Sequence, residues 1–351
     1  MIRGLKTALA VTLVAAIAAC NAPSANLGPA GPLVTAGPAS TATATPFAPL
    51  PQTPTPLPTA PFTPTPSAMP TPVNPWGDFP APVEPSAIEI PRPMEAIRFP
   101  EGVVNVILLG SDQRPYEAGH RTDTMMIASL NPQAGTVTLL SIPRDLYVYI
   151  PGWRVDRINI ADLRGGPDLV AQTILYNLGI RIDHWARVNF YGFVKAVDAL
   201  GGIDVQVTRY LRDECGGTWY TFWAGTTVHM SGWTALCYVR MRKTSGDFDR
   251  LRRQQEVIQA TFNRVVSLDG LSRVPELYAQ FGSLVQTDLS LEDVLPLVPL
   301  AVAVSTNSPA IRHYAIDSTM ATQWRVPYSG AAVLLPNRDA IQAMLRTTFG
   351  S

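Results

Sequence analysis

The stretch 167-PDLVAQTILYNLGIRIDHWARVNFYGFVKAVDALGGIDVQV-207 sets the architecture of the chain. Leu169, Val170, Ile174 and Leu178 recur at helical spacing, so a helix is predicted over residues 167–178, with Gly179 placed to end it. A strand follows near 186–189, then a helix over 190–200 stopped by Gly201 and Gly202, then a strand over 203–207. Strand and helix alternating in this way point to the α/β class: a single α-β-α layered domain whose helices cover both faces of a central mixed sheet.

Upstream, the apolar run VVNVILL at 103–109 ends in Gly-Ser-Asp and reads as a buried strand with polar residues at its end. Residues 124–130 and 136–142 read as two more strands, joined by the hairpin turn NPQAG at 131–135. Downstream, Leu251, Val257, Ile258, Phe262, Val265 and Val266 fall largely on one side of a long helix over 248–268. Two further apolar helices are expected near 291–304 and 340–345.

Of the 33 prolines in the 351 residues, 21 fall between positions 21 and 93, which leaves one globular domain over 95–351. Residues 21–94, rich in Pro, Thr and Ala as in TPTPLPTAPFTPTP, carry too little apolar surface to offset the entropy of ordering. They are expected to form a disordered linker of partly polyproline-II character. Ahead of them, Arg3 and Lys6 precede the apolar residues 7–19 and the sequence Ile17-Ala18-Ala19-Cys20. That apolar run is shorter than the roughly 20 residues a membrane span needs, so it reads as an export signal. Small residues directly before a cysteine resemble a bacterial lipobox. Residues 1–20 are therefore expected to be a lipoprotein signal peptide, with Cys20 lipidated and the domain held at the outer face of the cytoplasmic membrane. Cys215 and Cys237 remain as an even pair on the oxidising side and are expected to form a disulfide. No Cys-x-x-Cys pattern accompanies the four scattered histidines, which argues against zinc.

The formal net charge is zero, which makes nucleic acid a poor partner. Charge is nevertheless concentrated: Arg240, Arg242, Lys243, Arg250, Arg252 and Arg253 lie close in sequence with only Asp247 and Asp249 among them. Only Lys6, Lys195 and Lys243 are lysines, and arginine offers phosphate a bidentate fork where lysine offers a point charge. Together with 110-GSDQRPYEAGHRTDTMM-126, these segments suit a metal-assisted phosphate or pyrophosphate site.

The motifs LLGSDQR (108–114), RTDTMMI (121–127), LLSIPRDLYV (139–148), RINIA (157–161), VNFYGFVKAVDALGGIDV (188–205), LRDE (211–214), SGWTALCYVRMR (231–242) and DFDRLRRQQEVI (247–258) follow one another in the order seen in the LytR-CpsA-Psr family of cell-envelope transferases. The chain resembles that family densely over 103–258 and more weakly to VLLPNRDAI at 333–341. The family's usual transmembrane anchor is here replaced by the lipobox and linker.

The resemblance implies binding of a polyprenyl-pyrophosphate-linked glycan and transfer of its glycosyl phosphate to a peptidoglycan hydroxyl, with release of polyprenyl phosphate. It implies Asp112 and Asp123 as ligands of Mg²⁺, with Mn²⁺ as a substitute, and Arg121, Arg144, Arg240 and Arg242 as pyrophosphate ligands. Arg114, Arg250, Arg253 and Gln254 are secondary candidates, and Asn159 of RINIA is either a loop organiser or a substrate contact. The residues suit this chemistry independently, because phosphoryl transfer chiefly needs charge neutralisation and alignment. Arg144 is the expected transition-state arginine, and Asp145 or Asp247 the base on the attacking hydroxyl. Apolar residues such as Phe190, Phe193, Val194 and Val197 read as ordinary core, although in the family such helices enclose a lipid tunnel. Two other activities fit the same motifs: an extracytoplasmic polyprenyl-pyrophosphate pyrophosphatase, and a non-catalytic lipid- or wall-binding regulatory lipoprotein.

If Cys20 is the lipidated N-terminus, Cys20→Ser should release the protein from the membrane fraction or block its processing; unchanged size and attachment would refute the lipid anchor.

Overall fold

The computed structural model describes residues 74–113, 121–270, 272–306 and 310–350. Cys20, Arg114 and the proposed linker up to residue 73 lie outside the described residues. At the centre is a six-stranded sheet in the order Val285–Thr287, His184–Asn189, Val104–Ser111, Thr122–Asn131, Thr136–Ser141, Ile311–Ala315. Strand 104–111 pairs antiparallel with 122–131 and parallel with 184–189, and 311–315 runs parallel to 136–141, so the sheet is mixed as expected.

Apolar residues fill both faces of the central strands, because helices cover both sides. Val106, Leu108, Met126, Ala128, Leu130 and Leu139 pack with Phe262 of the helix Gly246–Ser267 and with Val298, Leu300 and Ala301 of Val298–Thr306. Ile107, Leu109, Met125, Ile127 and Leu140 face the other way, onto Val170, Ile174 and Leu178 of the helix Ile160–Leu178 and Ile341, Leu345 and Phe349 of Arg338–Phe349.

The elements differ from expectation where local chemistry intervenes. The helix expected over 167–178 begins at Ile160 and kinks at Gly165 and Gly166, after which Pro167 restarts it. Gly179 ends it in the left-handed region at φ 67°, its N–H donating to the Leu175 carbonyl at 3.0 Å. A Cβ there would meet the Glu95 carbonyl oxygen at 2.2 Å, so the position admits only glycine on two counts. The expected 291–304 helix is broken by Pro296 into Leu291–Val294, a 3₁₀ turn Leu295–Leu297 and Val298–Thr306. The strand Ile203–Gln206 does not join the central sheet; it pairs with Thr227–Met230 as a separate ribbon.

The domain starts earlier than its composition suggested. Residues 74–94, assigned to the linker by their prolines, lie against the domain: Trp76, Phe79, Ile88 and Ile90 pack on Tyr147, Tyr149, Val155 and Tyr176. Proline brings an acceptor but no donor, and tyrosine hydroxyls supply the donors. Tyr149 Oη donates to the Pro80 carbonyl at 2.6 Å and Tyr176 Oη to that of Pro91 at 2.7 Å. The expected disulfide is present between Cys215 and Cys237, with their Cα atoms 5.7 Å apart. It joins the hairpin Leu211–Cys215/Thr218–Phe222 to the helix Gly232–Arg240, and in the chain-entropy model a loop of this length contributes about 3 kcal/mol.

Candidate active site

The site begins with a β-bulge. Gly110 pairs with Thr124 and Ser111 with Thr122, so Asp123 is the extra residue of strand 122–131. A bulge shifts side chains between faces, and here Thr122 and Thr124 address opposite layers although two residues apart. Thr122 Oγ1 donates to Asp162 Oδ2 at 2.6 Å on the face of the 160–178 helix. Thr124 Oγ1 accepts from Gln254 Nε2 at 2.8 Å on the face of the 246–267 helix. Buried Asp162 is also held by Arg187 Nη1 at 2.9 Å, which fixes the bulge from behind. Gly110 leaves the space this requires, since a Cβ there would come within 2.8 Å of Thr124 Cβ.

Asp123 is thereby presented to Arg144, whose Nη1 lies 2.7 Å from Asp123 Oδ1. Arg144 Nε donates to Asp145 Oδ2 at 3.2 Å, and Arg157 Nη1 holds the other Asp145 oxygen at 3.5 Å. The Asn159 N–H donates to the Arg144 carbonyl at 3.3 Å, so RINIA supports Arg144 from its backbone side. Burial disfavours the charge of Arg144, but the field and hydrogen bond of Asp123, with the charges of Asp145 and Asp247, raise its pKa above the ordinary arginine value.

Arg250 comes from the first turns of the 246–267 helix. Its Nη2 sits 3.0 Å from Asp247 Oδ1 and 3.4 Å from the Asp123 carbonyl oxygen. It is only 4% exposed, and its Nε has no hydrogen-bond partner among the described residues. Burial lowers its pKa, Asp247 and Asp123 oppose that shift, and the like charges of Arg144 and Arg242 add to it. A guanidinium held in this state gains from an anion, which would offset both its desolvation and the repulsion of its neighbours.

These groups stand at one end of a cavity of about 260 Å³. Asp123, Arg144, Arg240, Arg242, Arg250 and Gln254 line that end; Leu108, Met126, Val188, Phe193, Val197, Leu200, Val257, Phe262 and Phe281 line the rest. Of the four residues read as ordinary core, Phe190, Phe193 and Val197 face the cavity, whereas the Val194 backbone packs on Gly232. Arg240 is the last residue of the 232–240 helix, not part of an extended segment, and its guanidinium lies 4.4 Å from the Phe190 ring centroid. Arg240 and Arg242 still reach the same cavity, because the chain turns extended at Met241.

The other candidates are placed differently. Asp112 and Arg121 form a backbone pair beyond the bulge, with Asp112 Oδ1 accepting from the Arg121 N–H at 2.5 Å; neither lines the cavity. Asp145, Asp247 and Asn159 are not among the lining residues and enter as partners of Arg144 and Arg250, with the Asp247 side chain still reached by solvent. Arg253 does not reach the cavity. It is fully buried and donates to the carbonyls of Tyr238, at 3.0 Å, and Met241, and to Ser245 Oγ at 3.0 Å, so it fixes the turn that carries Arg240 and Arg242. Arg157 was not singled out from sequence, although it sits in the motif RINIA.

Among the described residues no group of three or more His, Cys, Asp or Glu side chains could hold a metal ion. Asp123, the bulge residue beside Arg144, and Asp112, just beyond the bulge, offer only oxygen donors. That fits a hard divalent cation that takes its remaining ligands from water and phosphate.

A LytR-CpsA-Psr family model matches residues 86–347, and the chain belongs to that family. It is 39% identical over 203 residues to the polyisoprenyl-teichoic acid–peptidoglycan teichoic acid transferase TagU of Oceanobacillus iheyensis, covering 56% of this chain and 62% of the relative. The chain thus spans a little over three fifths of that relative's length. The crystal structure of B. subtilis TagV is similar with a TM-score of 0.60 at 26% identity, over 70% of this chain and 97% of that one. A structure of TagT bound to LI-WTA is similar with a TM-score of 0.56 at 26% identity, over 72% of this chain and 92% of that one.

Arg253→Met should lower stability by about 3 kcal/mol in urea denaturation, because buried carbonyls lose a charged donor. Unchanged stability with loss of anion binding would place Arg253 in the site instead.

Proposed function

We propose that the chain transfers a phosphoglycan from a polyprenyl-pyrophosphate-linked donor to a hydroxyl of peptidoglycan, releasing polyprenyl phosphate. The observation that carries this reading is that one cavity is lined both by clustered arginines and by a larger set of apolar side chains. A prenyl tail gains about 0.8 kcal/mol per methylene buried in such a lining. Its diphosphate then falls among Arg144, Arg240, Arg242 and Arg250. The name of the TagU relative, a teichoic acid transferase acting between polyisoprenyl carrier and peptidoglycan, supports the same assignment.

The acceptor oxygen attacks the phosphorus that carries the glycan, and the bond from that phosphorus to the bridging oxygen breaks. The bridging oxygen leaves with polyprenyl phosphate and keeps the electron pair. Arg144 neutralises the equatorial oxygens, held in place by Asp123 and Asp145. Of the two candidate bases, Asp145 has each oxygen engaged by a separate arginine, whereas Asp247 pairs with Arg250 alone among the described residues. We therefore assign the acceptor's proton to Asp247. Mg²⁺, replaceable by Mn²⁺, would be held by Asp112 and Asp123 and would neutralise diphosphate charge when bound.

The reading places the domain outside the cytoplasmic membrane, tethered through lipidated Cys20 and the Pro/Thr-rich linker. The Cys215–Cys237 disulfide suits an oxidising compartment, and no helix among the described residues is long and apolar enough to cross a membrane.

Arg144→Ala should reduce glycan transfer to peptidoglycan fragments by about 10³- to 10⁵-fold while circular dichroism stays unchanged. Arg144→Lys should recover little, since the bidentate fork is lost. Near wild-type transfer by folded Arg144→Ala would overturn the mechanism, and release of free phosphoglycan by the wild type would identify a pyrophosphatase.

A further inference from the structure

The hairpin Leu211–Cys215/Thr218–Phe222 has two unlike faces. Leu211 pairs with Phe222 and Asp213 with Tyr220 on the inner face, where Leu211 and Phe222 are buried in the core beside Tyr238. On the outer face Arg212 stands opposite Thr221 and Glu214 opposite Trp219. Tyr210 and Trp223 extend that face by one step, their ring centroids 5.2 Å apart. Tyr210, Trp219 and Trp223 are 50%, 61% and 64% exposed. Trp219, Trp223 and nearby Trp233 are the exposed tryptophans among the described residues.

Water-facing aromatic rings at this density lose stabilisation that a partner would restore. The outer face also specifies what kind of partner. Trp219 and Trp223 lie four strand residues apart, about 13 Å. Between and beside them lie a guanidinium, a carboxylate and a hydroxyl, from Arg212, Glu214 and Thr221. Flat apolar platforms separated by hydrogen-bonding groups match an extended sugar chain, whose rings offer apolar faces and whose edges offer hydroxyls. A membrane surface fits less well, because the outer face pairs Glu214 with Lys243 at 3.5 Å and so alternates charge with hydroxyl and ring instead of presenting a cationic patch.

The ribbon is fixed to the active site through its inner side. The disulfide joins Cys215 to the 232–240 helix. The Lys243 N–H donates to Asp213 Oδ2 at 2.9 Å, and Thr244 Oγ1 donates to the Arg212 carbonyl at 2.9 Å. These bonds hold the segment that follows Arg240 and Arg242, yet no ribbon residue lines the cavity. The ribbon is therefore beside the diphosphate end without being part of the lipid-binding volume.

We infer that the outer face of this ribbon, through Tyr210, Trp219, Trp223, Arg212 and Glu214, binds the glycan strand of peptidoglycan and holds the acceptor next to the arginine-lined end of the cavity. The glycan-strand assignment rests on the transferase reading above; the carbohydrate-binding face rests on the ribbon alone.

The test compares full-length wild type with Trp219→Ala/Trp223→Ala and Trp219→Tyr/Trp223→Tyr. Each is titrated with soluble peptidoglycan glycan strands, with the polyprenyl-linked donor, and with phosphatidylglycerol vesicles. The alanine pair should weaken strand binding and raise the acceptor KM by about tenfold, with kcat and donor affinity little changed. The tyrosine pair should stay close to wild type, which also controls for folding. Unchanged strand binding by the alanine pair overturns the inference, as does a tenfold loss that falls on the donor or on vesicles instead of the strands. Ribbon-dependent strand binding by a wild type that transfers nothing would refute the transferase reading and leave this site standing.

Discussion

One inserted residue organises the arginine-lined part of the cavity. With Asp123 as the extra residue of the bulge, Thr122 and Thr124 turn to opposite layers, and Asp123 meets Arg144 at 2.7 Å. The back of the bulge is held by Asp162 and Arg187, and the front by Gln254 and by Arg250 on the Asp123 carbonyl. Without the bulge, strict alternation would put the Asp123 side chain on the face of the 160–178 helix. Arg144 would then lose the partner that sustains its charge in a partly buried position.

The remainder of the site is a balance between burial and charge. Arg144, Arg250, Arg240 and Arg242 converge on one end of a largely apolar cavity, and the described carboxylates nearest them are Asp123, Asp145 and Asp247. Those acids offset the repulsion between the arginines. On the proposed function, a diphosphate would add negative charge where the arginines outnumber their partners, while its lipid would cover the apolar lining. Affinity and orientation would then come from one molecule recognised at both its lipid and its phosphate.

Much of the layering was legible in the sequence, because strands buried on both faces read as continuous apolar runs and the long helices kept their period. The central strands 104–111, 122–131 and 136–141 and the 246–267 helix lie close to their predicted positions. What escaped was set by tertiary contact. The short strands 211–215 and 218–222 mix charged, aromatic and small residues and become legible only as a pair. Residues 74–94 looked like linker because prolines dominate, and nothing local announces that tyrosine hydroxyls will take up their carbonyls. Arg250, Arg253 and Gln254 could not be separated by spacing. Residue 254 returns to the side of 250 after one turn, while 253 falls short of it and bonds to the segment 238–245.

The central claim is that one cavity takes a prenyl tail and its phosphate head together. Its most direct test is mass spectrometry of the lipid extracted from purified protein after expression in a bacterium. The account predicts a polyprenyl phosphate or diphosphate in wild type and its marked depletion in Arg144→Ala. Recovery of fatty acids or ordinary phospholipid alone, at equal levels in both proteins, would contradict it.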